Sequence, residues 1–119
     1  MGKVMIHNTH GKEDIERASL AFVVANTALN AGQEATVLLS IEGVCVATNG
    51  YTDGMQAKGF EPLGELVRKT IQNGGQVWVC GACAKPRGIG ERNLVEGARI
   101  VGATSAVEAL VGGAQTLSF

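Results

Sequence analysis

Short apolar runs alternate along this chain with segments of helical periodicity, and this alternation constrains the fold more than any other feature. Apolar runs that end at polar residues or glycine are typical of strands buried inside a sheet. The predicted strands cover Lys3–Asn8, Glu34–Ser40, Gln76–Val79, Ala98–Val101 and Gln115–Phe119. The predicted helices cover Ile15–Ala31, Pro62–Gln72 and a segment from Thr104 or Ser105 to Val111. Because strands that alternate with helices pair mostly in parallel, we expect a three-layer α/β/α fold around a five-stranded, mostly parallel sheet. The sequence leaves the order of the strands open.

The composition indicates one globular domain, residues 1–119, and excludes several classes of protein. Apolar residues make up 45% of the chain and charged residues 18%, a balance that supports a core and excludes a disordered chain. The net charge of −1 argues against direct binding to nucleic acid or to an anionic membrane, because both need a basic surface. No apolar run approaches the roughly 20 residues of a membrane span, and the first residues do not resemble a signal peptide. We therefore expect a cytoplasmic protein with reduced cysteines.

Two segments contain fewer charged residues than we would expect on the surface of a monomeric protein. The helix predicted from Ile15 has no charged residue after Arg17, and residues 103–119 contain a single one, Glu108. A domain of this size has too little interior to bury both segments, so part of their surface should contact another subunit. We expect a homo-oligomer.

Three segments with polar or thiol side chains follow predicted strands. They are Asn8–His10, Ile41–Cys45 and Cys80–Arg87. The carboxyl ends of parallel strands lie at one edge of the sheet, where ligands and chemistry gather, so we expect the functional site at that edge. The second segment opens the stretch Ile41–Phe60, which shows no periodicity and is predicted to be a long loop.

The sharpest local signal is the sequence Cys80-Gly-Ala-Cys83. A cysteine that directly follows a buried strand lies in a turn whose unpaired N–H groups favour the thiolate, and Lys85 and Arg87 add positive charge nearby. This pattern indicates a nucleophilic or sulfur-carrying thiol, with Cys80 and Cys83 as the catalytic candidates. Two other interpretations remain open: structural cysteines, and a dithiol redox pair.

The sequence predicts neither a metal site nor a cofactor. Three cysteines exclude a four-cysteine zinc site, and the chain has no second CxxC and no HxxxH pattern. Gly88-Ile-Gly90 lacks the glycine spacing of a dinucleotide-binding turn, and no phosphate-binding loop is present.

The two histidines and the third cysteine are secondary candidates. His7 lies near the end of the first predicted strand and His10 in the turn after it, and at most one of them should reach the site. We expect His10, together with Arg87, in a supporting role. Cys45 follows an apolar run and is predicted to be a small core residue with the least reactive thiol.

A cysteine, Cys80, ends the third predicted strand, and the sequence Arg87-Gly-Ile follows several residues later. With the stretch that begins Gly32-Gln-Glu and the step Glu42-Gly-Val, this arrangement resembles the DsrE/DsrF-like family. The likeness covers essentially the whole chain, and its most specific part is the cysteine at the end of the third strand.

The resemblance implies a small α/β protein that assembles as a trimer or hexamer. Better understood members of the family relay sulfur, which they carry as a persulfide on the cysteine that Cys80 matches. The additional Cys83 leaves open whether Cys80 works alone or whether Cys83 resolves its persulfide as a disulfide. The implied function is a sulfur carrier or sulfurtransferase that takes sulfur from a donor protein and passes it to a partner thiol. A non-catalytic scaffold protein of the same family and a CxxC dithiol redox protein are the alternatives.

Overall fold

A computed structural model describes all 119 residues, Met1–Phe119. The strands are β1 (Lys3–Asn8), β2 (Glu34–Leu39), β3 (Gln76–Cys80), β4 (Ala98–Val101) and β5 (Gln115–Ser118). The α-helices are α1 (Ile15–Asn30), α2 (Leu63–Gln72), α3 (Gly81–Ala84) and α4 (Ala103–Val111). Short 3₁₀ helices cover Lys12–Asp14, Ile41–Ala47, Lys85–Arg87 and Glu91–Asn93. None of the helices combines the length and the apolar character that crossing a membrane requires.

All five strands pair in parallel in one sheet, in the order β4-β3-β2-β1-β5. The chain builds outward from β1 to β4 and then returns across the sheet, so that β5 lies on the other side of β1. Because connections between parallel strands are right-handed, the return through α4 crosses the face opposite to α1 and α2. The predicted three-layer α/β/α fold with a parallel sheet is therefore confirmed.

One face of the sheet forms the core with α1 and α2. Side chains alternate along the strands, so that Val37 of β2 and Val79 of β3 point into this face and are fully buried. The helix α1 begins after Asp14, whose side chain accepts a hydrogen bond from the Arg17 N–H at 3.0 Å. It packs on β1, β2 and α2, and its Phe22 is fully buried. The charge-poor surface of α1 is therefore largely covered within the chain.

The opposite face of the sheet is covered less completely. The helix α4 crosses it, but no residue of α4 is buried. Leu38 of β2 and Trp78 of β3 are register partners on this face, and both stay partly exposed. Val107 and Val111 of α4 are exposed, and so is every residue of β5. The charge-poor segment 103–119 therefore presents apolar surface outside the fold; we refer to α4 and β5 together as the α4/β5 surface.

The stretch from residue 41 to 60 was predicted to be a long loop, and this prediction was wrong for its first part. Residues Ile41–Ala47 form a 3₁₀ helix in which Val44 and Val46 are buried. This 3₁₀ helix lies directly against the end of β1, because Gly43 has no Cβ: one built there would lie 2.4 Å from the carbonyl oxygen of Asn8. A 3₁₀ helix has three residues per turn, so the periodicity of an α-helix does not reveal it.

Candidate functional site

The carboxyl ends of the strands bring the three predicted segments to one edge. The N–H of Ser40 donates to the carbonyl of Asn8 at 3.1 Å, and the N–H of Gly43 donates to the carbonyl of Thr9 at 3.2 Å. These bonds hold the 3₁₀ helix 41–47 against the end of β1. The helix α3, which starts where β3 ends, packs against the same 3₁₀ helix. Residues that are far apart in the sequence therefore meet at this edge.

Cys80 and Cys83 lie at this edge, where β3 ends and α3 begins. Cys80 is both the last residue of β3 and the N-cap residue of α3, and Cys83 lies within α3. The backbone of Cys80 is extended (φ −63°, ψ 117°), so its side chain alternates with that of Val79 and lies on the same face as Trp78. Both thiols are free and partly buried. The two predicted catalytic cysteines are thus neighbours, and one of them lies on the incompletely covered face of the sheet.

The Arg87 side chain makes two contacts, neither of them with the Cys80 thiol. Its Nη1 donates to the carbonyl oxygen of Cys83 at 3.1 Å, and its Nε lies 3.5 Å from Oε1 of Glu42. Both side chains of this ion pair are about one-third exposed, at 32% and 30%. The guanidinium therefore links the turn after α3 to the 3₁₀ helix 41–47, and the Glu42 carboxylate already balances its charge. Its main contribution is to position these two elements.

Cys45 belongs to a separate polar cluster around the Glu42 carboxylate. The Cys45 thiol donates to Oε2 of Glu42 at 3.6 Å, and the Tyr51 hydroxyl donates to the same oxygen at 3.4 Å. The Tyr51 oxygen in turn accepts from the N–H of Lys12 at 2.8 Å. Burial raises the pKa of the Cys45 thiol, and the negative charge of Glu42 raises it further. Cys45, predicted to be a small core residue, is partly buried and packs against the core, and its thiol faces a carboxylate.

The two histidines have different surroundings. Nδ1 of His10 lies 2.8 Å from Oε2 of Glu13, on the solvent side of the turn after β1. The hydrogen bond from His10 and a second one from the Gly11 N–H hold the pKa of Glu13 below its usual value. Nε2 of His7 lies 2.9 Å from the hydroxyl of Ser40. The imidazole of His10, predicted to support the site, is thus directed to Glu13, whereas His7 faces the end of β2.

Sequence reasoning missed Ser40 and Tyr51, and it placed Glu42 at this edge within Ile41–Cys45 without giving it a role. Ser40 and Glu42 lie within three residues of the end of β2, and the rule that polar residues at the carboxyl ends of parallel strands are candidates applies to them. Tyr51 carries no such signal, because its contact with Glu42 depends on the path of the intervening chain. No group of three or more His, Cys, Asp and Glu side chains is arranged to hold a metal ion.

A cavity lies apart from Cys80 and Cys83. It has a volume of about 580 Å³ and lies between α2, the turn that follows the 3₁₀ helix 41–47 and the residues before β4. Its polar lining includes Asn49, Asp53, Arg68 and Glu96, and it contains no thiol and no imidazole. The predicted catalytic residues are therefore not part of this cavity.

Relatives of this chain are found by sequence. The uncharacterized protein MJ0760 of Methanocaldococcus jannaschii is 37% identical over 101 residues, which cover 85% of this chain and 37% of that protein. The uncharacterized protein MJ0989 of the same organism is 38% identical over 85 residues, which cover 71% of each chain. This chain thus spans little more than a third of the length of MJ0760.

Solved structures share the fold. MTH1491 of Methanobacterium thermoautotrophicum, a protein of unknown function, superposes with a TM-score of 0.73 over both whole chains at 15% identity. The ychN protein of E. coli superposes with a TM-score of 0.75, also over both whole chains, at 17% identity. At these identities the likeness concerns the fold alone. The sequence model of the DsrE/DsrF-like family matches residues 2–119. This match over nearly the full length shows that the chain belongs to the DsrE/DsrF-like family.

Proposed function

We propose that this protein is a sulfur carrier and that Cys80 holds the transferred sulfur as a persulfide. One observation carries the proposal: a free, partly exposed cysteine ends strand β3 in a chain whose family membership suggests sulfur relay. The carboxyl ends of parallel strands are where this class of fold places its chemistry. The thiol lies on the face that α4 covers incompletely, which supports access by a second protein.

Loading is an exchange between thiols, and it conserves electrons. The Cys80 thiolate attacks the outer sulfur of a donor persulfide, so that a new S–S bond forms on Cys80 and the S–S bond of the donor breaks. The donor leaves as a thiolate and takes up the proton that Cys80 has lost. The same exchange with an acceptor thiol delivers the sulfur. Neither direction needs an oxidant or a reductant.

Cys83 offers a second route of release. Its thiolate attacks the inner sulfur of the Cys80 persulfide, a disulfide forms between the two cysteines, and the outer sulfur leaves as hydrogen sulfide. Cys83 lies in the single turn of α3, three residues after Cys80, which is the spacing of dithiol pairs that form local disulfides. A dithiol reductant must then reduce this disulfide before the next cycle. Cys83 therefore acts on release and is not needed for loading.

Intact-mass spectrometry after incubation with glutathione persulfide tests the assignment. The wild-type chain and Cys83→Ser should each gain the mass of one sulfur atom, and Cys80→Ser should not. Serine keeps the shape of cysteine, but its hydroxyl is a poor nucleophile without an adjacent base. Arg87→Ala should slow loading only modestly, because a partly exposed ion pair contributes about 1 kcal/mol or less.

Three outcomes of this experiment would contradict the proposal. If Cys80→Ser loads and Cys83→Ser does not, the roles of the two cysteines are reversed. If no form of the protein takes up sulfur, the scaffold alternative is favoured. If the wild-type chain loses two hydrogen atoms and Cys83→Ser, which cannot form the disulfide, gains no sulfur, a dithiol redox protein is favoured.

We also propose that the chain self-associates through the α4/β5 surface and exchanges sulfur with separate donor and acceptor proteins. Val111 is 83% exposed, Val107 57% and Leu117 52%, and the only charged residue of segment 103–119 is Glu108. Apolar side chains grouped on one surface are typical of contacts between subunits. The three free thiols suit a reducing compartment, and we place the protein in the cytoplasm.

A further inference from the structure

A hydroxyl and an imidazole lie on the same sheet face as the Cys80 thiol, and the loading step above involves neither of them. Nε2 of His7 and the Ser40 hydroxyl oxygen are 2.9 Å apart. His7 is the register partner of Leu38, so both side chains lie on the face crossed by α4. Ser40 follows Leu38 by two residues and has an extended backbone (φ −135°, ψ 165°), so its side chain also lies on this face.

Ser40 is the neighbour of Cys80 on the adjacent strand. Leu38 pairs with Trp78 in the register of β2 and β3, and the residues two positions further along are Ser40 and Cys80. Both have extended backbones. Adjacent strands lie about 4.8 Å apart, so side chains that stand side by side on one face are within reach of each other. His7, Ser40 and Cys80 therefore form a row across β1, β2 and β3.

We propose that Ser40, positioned by His7, donates a hydrogen bond to the Cys80 thiolate and to the persulfide anion that replaces it. A serine hydroxyl has one hydrogen to donate and two lone pairs to accept with. When His7 donates from Nε2 to the Ser40 oxygen, the hydroxyl hydrogen is free to turn toward the sulfur. Hydrogen bonds to an ionised acceptor are the stronger ones, so the row favours the anionic forms of Cys80. No covalent bond changes, and His7 acts only through Ser40.

The charged groups around Cys80 have other partners or lie elsewhere. The charged and titratable side chains on the surrounding elements are Glu34, Glu42, Cys45, Cys83, Lys85, Arg87, Arg99 and Glu108, and the Cys45 thiol donates to Glu42. Arg87 pairs with Glu42, and the Arg99 guanidinium lies over the Trp78 ring, 5.4 Å from its centroid. Glu108 lies with Lys3 beside a small cavity at the opposite ends of the strands. Lys85 is exposed to solvent. The remaining hydrogen-bond donor is the neutral hydroxyl of Ser40, which lies next to Cys80 in the register of β2 and β3.

The test is the rate at which iodoacetamide labels Cys80, in a Cys45→Ser/Cys83→Ser background where Cys80 is the only thiol. We expect Ser40→Ala and His7→Leu to slow labelling at pH 7 about threefold, because losing one hydrogen bond to a charged group lowers the thiolate fraction about tenfold while the more basic thiolate reacts about threefold faster. At pH 10, where an ordinary thiol is ionised in any case, the variants should label at least as fast as the parent chain. A purely structural change that blocks access would slow labelling at both pH values.

Two variants serve as controls. Ser40→Thr keeps the hydroxyl and should restore the rate at pH 7. Ser118→Ala should leave the rate unchanged, because Ser118 is an exposed residue of β5, on the opposite side of His7 from Ser40 and Cys80. The inference fails if Ser40→Ala labels at the control rate at pH 7, or if it is slowed equally at pH 10.

The inference rests on the proposed function for its sulfur-carrying part, and the two fail separately. The same variants are therefore also loaded with glutathione persulfide, with parallel losses expected. If the labelling pattern holds but the parent chain takes up no sulfur, sulfur carriage is wrong and the hydrogen bond stands. If the parent chain loads and Ser40→Ala both loads and labels at the control rate, the hydrogen bond alone is wrong.

Discussion

Gly43 determines how closely the 3₁₀ helix 41–47 approaches β1, and replacing it with alanine should destabilise the protein. A Cβ at this residue would lie 2.4 Å from the carbonyl oxygen of Asn8 and 3.2 Å from its carbonyl carbon. Both are backbone atoms of a strand that pairs with β2 on one side and β5 on the other. They cannot move aside as the end of a flexible side chain would. The 3₁₀ helix must shift instead.

The magnitude follows from what that shift disturbs. Overpacking of this kind costs about 1–3 kcal/mol. Lengthening the hydrogen bond from the Gly43 N–H to the Thr9 carbonyl, now 3.2 Å, costs up to about 1 kcal/mol more. Alanine also restricts the unfolded chain, which offsets roughly 0.4–1 kcal/mol. We expect a net loss of about 2 kcal/mol in the free energy of unfolding, or a fall in Tm of roughly 8 °C for a domain of this size.

Equilibrium unfolding in urea at a fixed protein concentration measures this loss, and Gly102→Ala is its matched control. Gly102 has a φ of −90°, which suits any residue, and a Cβ there would meet no atom within 4 Å. Its free energy of unfolding should stay within about 1 kcal/mol of the wild-type value. If the Gly43→Ala protein is as stable as the Gly102→Ala protein, the close approach does not constrain the fold and the reasoning is wrong.

Two further predictions concern the third cysteine and the apolar surface. Glu42→Gln removes the charge that adds to burial in raising the pKa of Cys45, so at pH 8 iodoacetamide should label Cys45 faster in a Cys80→Ser/Cys83→Ser background. In the wild-type chain Cys80 should still label before Cys45, and peptide mapping that shows the reverse order contradicts the assignment of Cys80. Val111→Glu places a charge on the α4/β5 surface, and light scattering should show a fall from an oligomer toward the 12.3 kDa of one chain. A wild-type mass near 12.3 kDa at micromolar concentration would show that the chain does not self-associate.

The layers of the fold could be predicted from the sequence, because each strand and long helix has its own hydrophobic pattern. The parallel pairing followed from their alternation. The strand order could not be predicted, since local periodicity does not say which strands are neighbours. The helix α3 was missed because the four residues Gly81–Ala84 are too few to show a period. Short elements show too little periodicity to be predicted, which explains why both α3 and the 3₁₀ helix 41–47 were missed.

The site could be predicted in part. Cys80 and Cys83 follow an apolar strand and stand out in the sequence, but the partner of Arg87 does not, since Glu42 lies on another element. The choice between the histidines depended on side-chain contacts. His10 lies three residues before Glu13, and its ring contacts this local carboxylate. The contact of His7 with Ser40 depends on the pairing register of β1 and β2, which local sequence patterns do not reveal.

The pairing register of β3 determines whether the Cys80 thiol points into the core or toward the face that is open to other proteins. Along β3, Val77 and Val79 point into the core with α1 and α2, so Trp78 and Cys80 point to the face that α4 covers incompletely. A shift of β3 by one residue would exchange the two sets and turn the thiol toward the core. The two buried valines therefore fix more than the packing of the strand. They hold Cys80 on the face where, under the proposed function, the chain meets its sulfur donor and acceptor.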